Sequence, residues 1–353
     1  MFTAIFISRL VILMFLKRNW KLTFSFPFTR DFFKGTNFGF IRNRKAAYIC
    51  SGIVALAIVV SLVVRGFDAG VDFVGGRTYE VQFKEPVETE KVAELLEGVL
   101  QQRPQVKVFG ESNQVKIITK YKIQDDDPNI DNEVDSLIYV GLKPMLPTGT
   151  TKDQFLTENK LSSTKVGPTI ALDIRREAIV AVVLALLAIF LYILLRFKNW
   201  RFSAAAVIGL AHNSLMVIGV YTLLWGIVPF TLEIDQAFIA AILTIIGYSI
   251  NDTVVIFDRI REYIKLYPKR EPEVIFSDAI NSTLSRTFVT SLSTLVVLIP
   301  IVIFGGDSIR GFVFSLSVGV IVGTYCSIFI AAPLAYDMGK KKAKELIEKL
   351  SQK

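Results

Sequence analysis

The stretch Gly247–Glu262 reads Gly-Tyr-Ser-Ile-Asn-Asp-Thr-Val-Val-Ile-Phe-Asp-Arg-Ile-Arg-Glu and closes a long apolar run. That run is long enough to cross a bilayer, which takes about 20 mostly apolar residues. Asp252 therefore lies within a membrane span, where a carboxylate costs about 3 kcal/mol near the helix centre. We interpret Asp252 as a functional group, with a structural polar contact between helices as the alternative. Ser249, Asn251 and Thr253 crowd the same turn, which indicates a supporting polar cluster.

The composition identifies a polytopic membrane protein. Hydrophobic residues make up 52% of the chain and fall into several apolar runs that a soluble core could not absorb. The net charge of +8 comes from basic residues in short connections between spans, so a nucleic-acid partner is not expected. Both cysteines, Cys50 and Cys326, lie in apolar runs, so we expect no disulfide framework, no metal site and no cofactor.

Basic residues fall at alternate ends of the apolar runs, which sets a topology with six full spans. By this rule the basic linker at residues 17–45 and the tail at 339–353 are cytoplasmic, and the hydrophilic region at 65–176 lies outside. The predicted spans are Ala46–Val64, Ala178–Leu195, Phe202–Leu224, Ala237–Phe257, Thr287–Phe304 and Gly311–Tyr336.

The first sixteen residues are apolar but short for a span. They contain Ser8 and Arg9 and end at Lys17-Arg18, which reverses the order of a signal peptide. We expect residues 1–16 to be the last part of a transmembrane helix whose beginning is missing. An interfacial anchor helix is the alternative.

The hydrophilic region predicts one α+β domain with the element order β-α-β-β-α-β. Alternation and turn residues indicate the strands, and helical spacing indicates two helices between them. This order is typical of a ferredoxin-like module. The predicted elements are strand Thr78–Phe83, helix Glu88–Gln102, strands Val106–Phe109 and Val115–Lys120, helix Asn132–Met145 and strand Lys160–Val166.

Arg286 is the natural ion-pair partner of Asp252. It lies at the inner edge of the following span, and its long side chain can reach into the apolar layer. The alternative is an arginine that only anchors its helix at the interface. Burial favours the protonated carboxyl and a nearby arginine favours the charged one, so a variable distance between them makes a proton-binding switch. We therefore predict proton transfer at Asp252 and Arg286.

Two further features have open interpretations. His212, the single histidine, lies mid-span and is either a neutral side chain hydrogen-bonded to a neighbouring helix or part of a proton relay. Gly75 and Gly76 precede a predicted strand and mark a tight turn where the first span meets the outer domain. A hinge at these two glycines is the functional alternative.

Several stretches resemble the SecF family of bacterial protein export. Gly247–Glu262 is similar to the family's most specific signature. Three other stretches agree with the family in order and spacing: Gly70–Gly76, Val166–Ala178 and Gly323–Ile330. Residues 1–9 are similar to the end of the final helix of SecD, the family's partner. The resemblance implies that the chain is the SecF half of a fused SecDF that begins inside the join.

The resemblance covers about residues 40–340 and implies an RND-type membrane half, hence a polytopic α-helical fold with an inserted ferredoxin-like periplasmic domain. It implies assistance to SecYEG during late export, coupled to the proton-motive force, in the inner membrane. Implied partners are SecD, SecYEG, YajC and exported preproteins. In the family the proton path involves an aspartate and an arginine that match Asp252 and Arg286.

The sequence departs from the family pattern at three positions. Val74 and Arg77 replace threonines that often flank the two glycines, and Asn213 follows His212 where an aspartate is common.

Two alternative functions are an RND-type half-transporter for small lipophilic molecules and a translocon scaffold that conducts no protons. An intramembrane protease is the least favoured function because no nucleophile–base pair is evident, so we expect a protein that is not an enzyme.

Overall fold

The computed structural model describes residues 2–18, 35–125, 127, 129–228, 230 and 232–339. It divides into two compact units, Met1–Phe38 and Gly39–Lys353. In the first unit, helix α1 (Phe2–Lys17) is one regular 16-residue helix. Most of the predicted basic linker and nearly all of the predicted tail lie outside the described residues.

Within the described part of the second unit, six helices are long and apolar enough to cross a membrane. This agrees with the six predicted spans, and the fold is that of a polytopic helical membrane protein with an inserted domain. Several helices extend past the apolar runs because charged residues at their ends continue the helix. The helices are α2 (Arg44–Arg65), α6 (Pro168–Phe197), α7 (Trp200–Leu224), α8 (Gln236–Leu266), α9 (Pro272–Phe304) and α10 (Asp307–Cys326), of which α10 continues through a π turn at Ser327–Ala331 to Gly339.

The inserted domain has the predicted ferredoxin-like order. Its four-stranded sheet is antiparallel throughout, in the order β2 (Gln105–Phe109), β3 (Glu111–Thr119), β1 (Gly76–Gln82) and β4 (Lys160–Val166). The first strand therefore lies between the second strand of the hairpin and the last strand. A short helix, α3 (Val71–Val74), joins α2 to the sheet. The elements are β1 (Gly76–Gln82), α4 (Thr89–Leu100), β2 (Gln105–Phe109), β3 (Glu111–Thr119), α5 (Ile130–Leu142) and β4 (Lys160–Val166).

The two helices of the domain pack on one face of the sheet and bury its core. Val81, Val92, Leu96, Ile117 and Ile138 are fully buried in this cluster. Their spacing explains the fold, since alternate residues of β1 and β3 and every third or fourth residue of α4 and α5 face inward. The domain is therefore held by its own hydrophobic core.

Two glycines let α10 approach α8 closely. A Cβ at Gly319 would collide with the side chain of Ile245, and a Cβ at Gly323 would lie 3.1 Å from Cβ of Ser249. Small residues at four-residue spacing allow this approach between membrane helices. The contact brings α10 directly against the face of α8 that carries Asp252.

Candidate functional site

Asp252 lies near the middle of α8 and faces the interior of the helix bundle. It follows Gln236 by 16 residues and precedes Leu266 by 14, so it is roughly 24 Å along the helix from its first residue. Its exposed fraction is 5%. The helix continues nine residues beyond Phe257, where the apolar run ends, and these residues are largely charged.

Hydroxyl groups surround the same face of α8. Ser249 and Thr253 are both buried there. The hydroxyl oxygens of Thr253 and Ser327 are 2.8 Å apart, and the Ser327 hydroxyl also donates to the carbonyl of Gly323 at 3.0 Å. Ser327 opens the π turn that continues α10, and π turns often occur at functional sites. The sequence analysis did not identify Ser327, because a local change of helical register leaves no pattern that periodicity detects.

Buried polar atoms without a hydrogen-bond partner among the described residues occur on three helices here. They are Oδ1 of Asn213 on α7, Oδ2 of Asp252 on α8 and Oγ1 of Thr287 on α9. Gly323 brings two of these helices together, because a Cβ there would lie 2.9 Å from Nδ2 of Asn213 and 3.0 Å from Oγ of Ser249. Unpaired buried polar groups are costly, so the apolar bundle contains unsatisfied polar groups on these helices.

Arg286 does not form the predicted ion pair. Its side chain is exposed on α9, one residue before the buried Thr287. Its positive charge acts on the Asp252 carboxyl, but the two described side chains share no hydrogen bond or ion pair. The structure therefore places the two groups on adjacent helices and leaves them apart.

Asn251 is not part of the buried cluster. Its side chain is exposed, whereas Ser249 and Thr253 are buried. The reason is the helix period: each residue advances about 100°, so Asn251 points away from the face shared by Asp252 and its neighbours. Neighbours in sequence are therefore a poor guide to neighbours on this helix.

His212 contacts the last helix. Its Nδ1 lies 3.1 Å from Sγ of Cys326, while its buried Nε2 has no hydrogen-bond partner among the described residues. The adjacent Asn213 donates from Nδ2 to the carbonyl of Gly319 at 3.4 Å. These contacts favour the interpretation of His212 as a side chain hydrogen-bonded to a neighbouring helix.

Gly75 and Gly76 lie where the domain meets the membrane helices. Gly75 has φ +72° and ψ 150°, a conformation that is nearly restricted to glycine, and Gly76 pairs with Val166 at the end of β4. A Cβ at Gly75 would lie 3.4 Å from Cα of Pro168, the first residue of α6, and one at Gly76 would lie 3.2 Å from the carbonyl oxygen of Thr119. The two glycines therefore form a packed junction.

The segment before α8 is bonded to the segment after α2. Ala69 and Ile234 form a parallel β-bridge. The Gly70 amide donates to the Ile234 carbonyl at 2.9 Å, and the Ile234 amide donates to the Asp68 carbonyl at 2.8 Å. The carboxylate of Asp72 accepts from the Gln236 amide at 3.1 Å. The start of α8 is thus fixed to the chain that enters the domain.

A buried ion network strengthens this junction. Glu233 pairs with Lys107 at 2.9 Å and with Lys116 at 3.0 Å, and Lys107 also pairs with Asp68. Burial opposes ionisation of Glu233, but the charges of Lys116 and Lys107 hold its pKa below the ordinary value. The pKa of Asp235 is instead raised by burial and by the nearby acids.

The surroundings of Asp252 combine three features. They hold a carboxyl group inside a bundle, with a guanidinium near it and a continuous helix that connects it to an outer domain. Among the described residues, no group of three histidine, cysteine, aspartate or glutamate side chains could hold a metal ion. A buried carboxyl group such as that of Asp252 can in principle bind or release a proton.

Two family descriptions match the chain. Residues 149–341 match the C-terminal part of the protein export membrane proteins SecD and SecF, and residues 60–87 match the SecD/SecF GG motif. The second match contains Gly75 and Gly76, and the first contains the whole cluster around Asp252.

Two similar proteins are named as SecF. A protein translocase subunit SecF of Rhodothermus marinus is 43% identical over 312 residues, covering 88% of this chain and 96% of the relative. That of Vibrio alginolyticus is 34% identical, covering 86% and 90%. These relatives are named as translocase subunits.

A solved structure shares the fold. The crystal structure of SecDF, a translocon-associated membrane protein from Thermus thermophilus, matches with a TM-score of 0.72 and 30% identity over 87% of this chain. The match covers 39% of that longer protein. With sequence motifs, six apolar helices, the inserted domain and these relatives in agreement, the chain belongs to the SecF family of membrane-embedded protein translocase subunits.

Proposed function

We propose that the protein is an auxiliary subunit of the bacterial Sec translocase in the inner membrane. In this proposal it acts with SecD and uses the proton-motive force to promote late export of preproteins through SecYEG, with YajC as a further partner. The names of the relatives support a role in translocation, and the similarity to a SecDF supports SecD as the partner. The subunit is a motor component and not an enzyme.

The observation that carries this proposal is the buried carboxyl of Asp252, with an unpaired oxygen and an arginine nearby that does not pair with it. Burial favours the neutral form of a carboxyl, and an arginine in contact favours the charged form. Approach of Arg286 would release a proton from Asp252, and withdrawal would let the carboxyl bind one. A charge that crosses the membrane yields about 2.3 kcal/mol per 100 mV, which can drive the cycle.

The route from this site to the domain is α8 itself. The helix runs without interruption from Gln236 to Leu266, with Asp252 at its middle. Its first residues are fixed to the domain by the Ala69–Ile234 bridge and by Glu233. A shift of α8 on protonation would therefore move the domain, which in this proposal grips the emerging polypeptide.

The distribution of basic residues supports the proposed orientation in the membrane. The helix ends opposite the domain carry clusters of basic residues, such as Arg44, Arg196, Arg201, Arg259 and Arg261. Basic residues favour the cytoplasmic side, which supports a periplasmic position for residues 65–176. The domain would then meet polypeptide as it leaves the channel.

The test is reconstituted export with SecD and SecYEG, measured with and without an imposed proton-motive force. The Asp252→Asn variant should retain the export seen without the force and lose the stimulation by it. Asp258→Asn is the matched control, because Asp258 lies on the same helix but pairs with Arg196 and Arg261. If export by Asp252→Asn is stimulated as much as export by the wild type, the proton role is refuted. If the proton-motive force does not stimulate export by the wild type, the scaffold function is favoured instead.

A further inference from the structure

An apolar cavity of about 470 Å³ lies at the domain end of the membrane helices, away from Asp252. Its volume falls in the range of about 300–1,000 Å³ that is usual for small-molecule sites. Side chains from four membrane helices form its walls: Leu62 of α2, Val182 and Val183 of α6, Ile218 of α7, and Phe238 and Ile239 of α8. The cavity is therefore built by the bundle itself.

The top of the cavity comes from the junction with the domain. Phe67, Phe73 and Val74 line it there, and Val74 directly precedes Gly75. Leu62 is three residues from the end of α2, and Phe238 is the third residue of α8. The cavity thus lies at the depth where the apolar layer ends and lipid headgroups begin.

The cavity opens sideways, on the outer surface of the described helices. Ile179 and Val183 on its α6 side are 61% and 57% exposed. The apolar stretch of α6 is almost wholly unburied, with 6% of its residues inside the structure. An occupant could therefore enter from the surrounding acyl chains without passing through the bundle.

Arg175 is the one charged residue among the lining residues that the structure describes. It lies one turn before Ile179 on the same face of α6, towards the headgroup layer. Its side chain is exposed, and none of the described residues pairs with its guanidinium. The acids nearest in the chain, Asp173 and Glu177, lie two positions away on α6, and residues at that spacing do not face each other on a helix. At the junction, Asp72 accepts from the Gln236 amide and Asp235 from the Phe238 amide.

The geometry points to a phospholipid site that nothing in the translocation role requires. An acyl chain fills the apolar cavity, and the phosphate of the headgroup lies against Arg175. The Arg175 guanidinium lies at the level of the lipid headgroups, and the apolar walls of the cavity lie deeper, at the level of the acyl chains. A phospholipid has its charged and apolar parts in the same order. Guanidinium groups bind phosphate with paired hydrogen bonds, and basic pockets between membrane helices bind lipid headgroups. The bound lipid would also contact the junction beside Gly75.

Native mass spectrometry of the full chain tests this site with two probes that share the same acyl chains. Phosphatidylglycerol carries the phosphate, and diacylglycerol lacks it. The wild type should retain phosphatidylglycerol over diacylglycerol. Arg175→Gln should reduce retention of phosphatidylglycerol by about fivefold, as expected for one exposed charge contact, and leave diacylglycerol unchanged. Arg176→Gln is the matched control, because that neighbouring arginine does not line the cavity.

A second variant tests the cavity apart from the charge. Val182→Trp should fill the space and reduce retention of both probes, whereas Leu184→Trp, on the same helix but outside the lining, should not. Unchanged thermal midpoints show that each variant is folded. Equal retention of the two probes by the wild type would overturn the proposal, as would full retention of phosphatidylglycerol by either Arg175→Gln or Val182→Trp. Protection of the cavity by an exported peptide and not by lipid would overturn it as well.

Discussion

Lys107 on strand β2 and Glu233 before helix α8 form an ion pair of 2.9 Å that joins the inserted domain to the membrane helices. Glu233 has a side chain that is 7% exposed, and it holds Lys116 in the same way at 3.0 Å. One carboxylate thus links two strands of the domain to the start of the helix that carries Asp252. The junction depends on a charge that is mostly removed from water.

Glu233→Gln should loosen this junction without unfolding the domain. Glutamine carries no charge and has one accepting oxygen, so one of the two lysine hydrogen bonds is lost and the other is weakened, at a cost of about 2 kcal/mol. The amides of Gly70 and Ile234, which bond across the bridge, should then exchange with deuterium about thirtyfold faster. Glu85→Gln, at an exposed glutamate of the same domain, should leave both amides unchanged. Equal exchange in the two variants would show that Glu233 does not hold the junction.

Asp235→Asn should tighten the same junction at neutral pH. Burial, with Asp72 and Glu233 nearby, raises the pKa of Asp235, so its charge is less favourable in the folded protein than in the unfolded chain. Asparagine removes the charge and still accepts from the Phe238 amide, as Asp235 does at 2.8 Å. Asp235→Ala loses that cap, so it should be less stable than Asp235→Asn by about 1 kcal/mol. Thermal unfolding of the three proteins gives their order of stability. A lower thermal midpoint for Asp235→Asn than for the wild type would contradict the prediction.

Acid should open the junction in a defined window. The pKa of Glu233 is lowered on folding, so its stabilisation is complete above the ordinary value of 4.5 and is lost as pH falls through the lower folded value. Asp235 contributes with the opposite sign, since its destabilisation disappears as pH falls towards 3.8. Deuterium exchange of Gly70 and Ile234 in the Asp235→Asn background isolates the Glu233 effect. The exchange rate of these amides, divided by the intrinsic rate at each pH, should rise only below about pH 4.5. The Glu233→Gln substitution should abolish that rise.

The approach of α10 to α8 predicts a specific rescue. Gly319→Ala places a Cβ against the Ile245 side chain and should destabilise the bundle by about 1–3 kcal/mol, the usual cost of overpacking. Ile245→Ala in the same protein should restore most of that loss, whereas Ile245→Val retains a colliding methyl group and should not. Gly247→Ala is the control, because nothing lies within 4 Å of a Cβ there. Thermal midpoints in detergent measure the series, and equal effects of Gly319→Ala and Gly247→Ala would contradict the close contact.

The fold could be predicted from the sequence because each element leaves a local pattern. Long apolar runs give the spans, and alternation indicates the strands, although the first four residues of β1 are buried on both faces. Helix ends are harder to place. Apolar composition ends α8 at Phe257, but charged residues continue the helix to Leu266, because helix formation and membrane burial are different requirements.

The site could be predicted only as far as one helix determines it. An acid inside an apolar run indicates Asp252, yet the run does not show which neighbours share its face. The side chain of Asn251, from the same turn, is exposed, whereas those of Ser249 and Thr253 are buried. Ser327 and Asn213 reach the cluster from other helices, through a π turn and a close glycine contact. The distance between Asp252 and Arg286 depends on the packing of α8 against α9, which a single sequence does not specify. The joint role of Asp252 and Arg286 in proton transfer stays a prediction.

Arg286 and Asp252 should act as one unit in export. If the arginine controls the charge of the carboxyl, then Arg286→Gln and Asp252→Asn should each abolish the stimulation by proton-motive force, and the double variant should be no worse than either single one. Arg286→Lys should retain part of the stimulation, since lysine keeps the charge but lacks the planar fork. Arg259→Gln is the control, because Arg259 pairs with Glu262 beyond the apolar run. The measurement is reconstituted export with SecD and SecYEG at several imposed potentials. Partial losses that add in the double variant would mean that the two residues act independently. Wild-type stimulation in Arg286→Gln would leave Asp252 to bind its proton without an arginine partner.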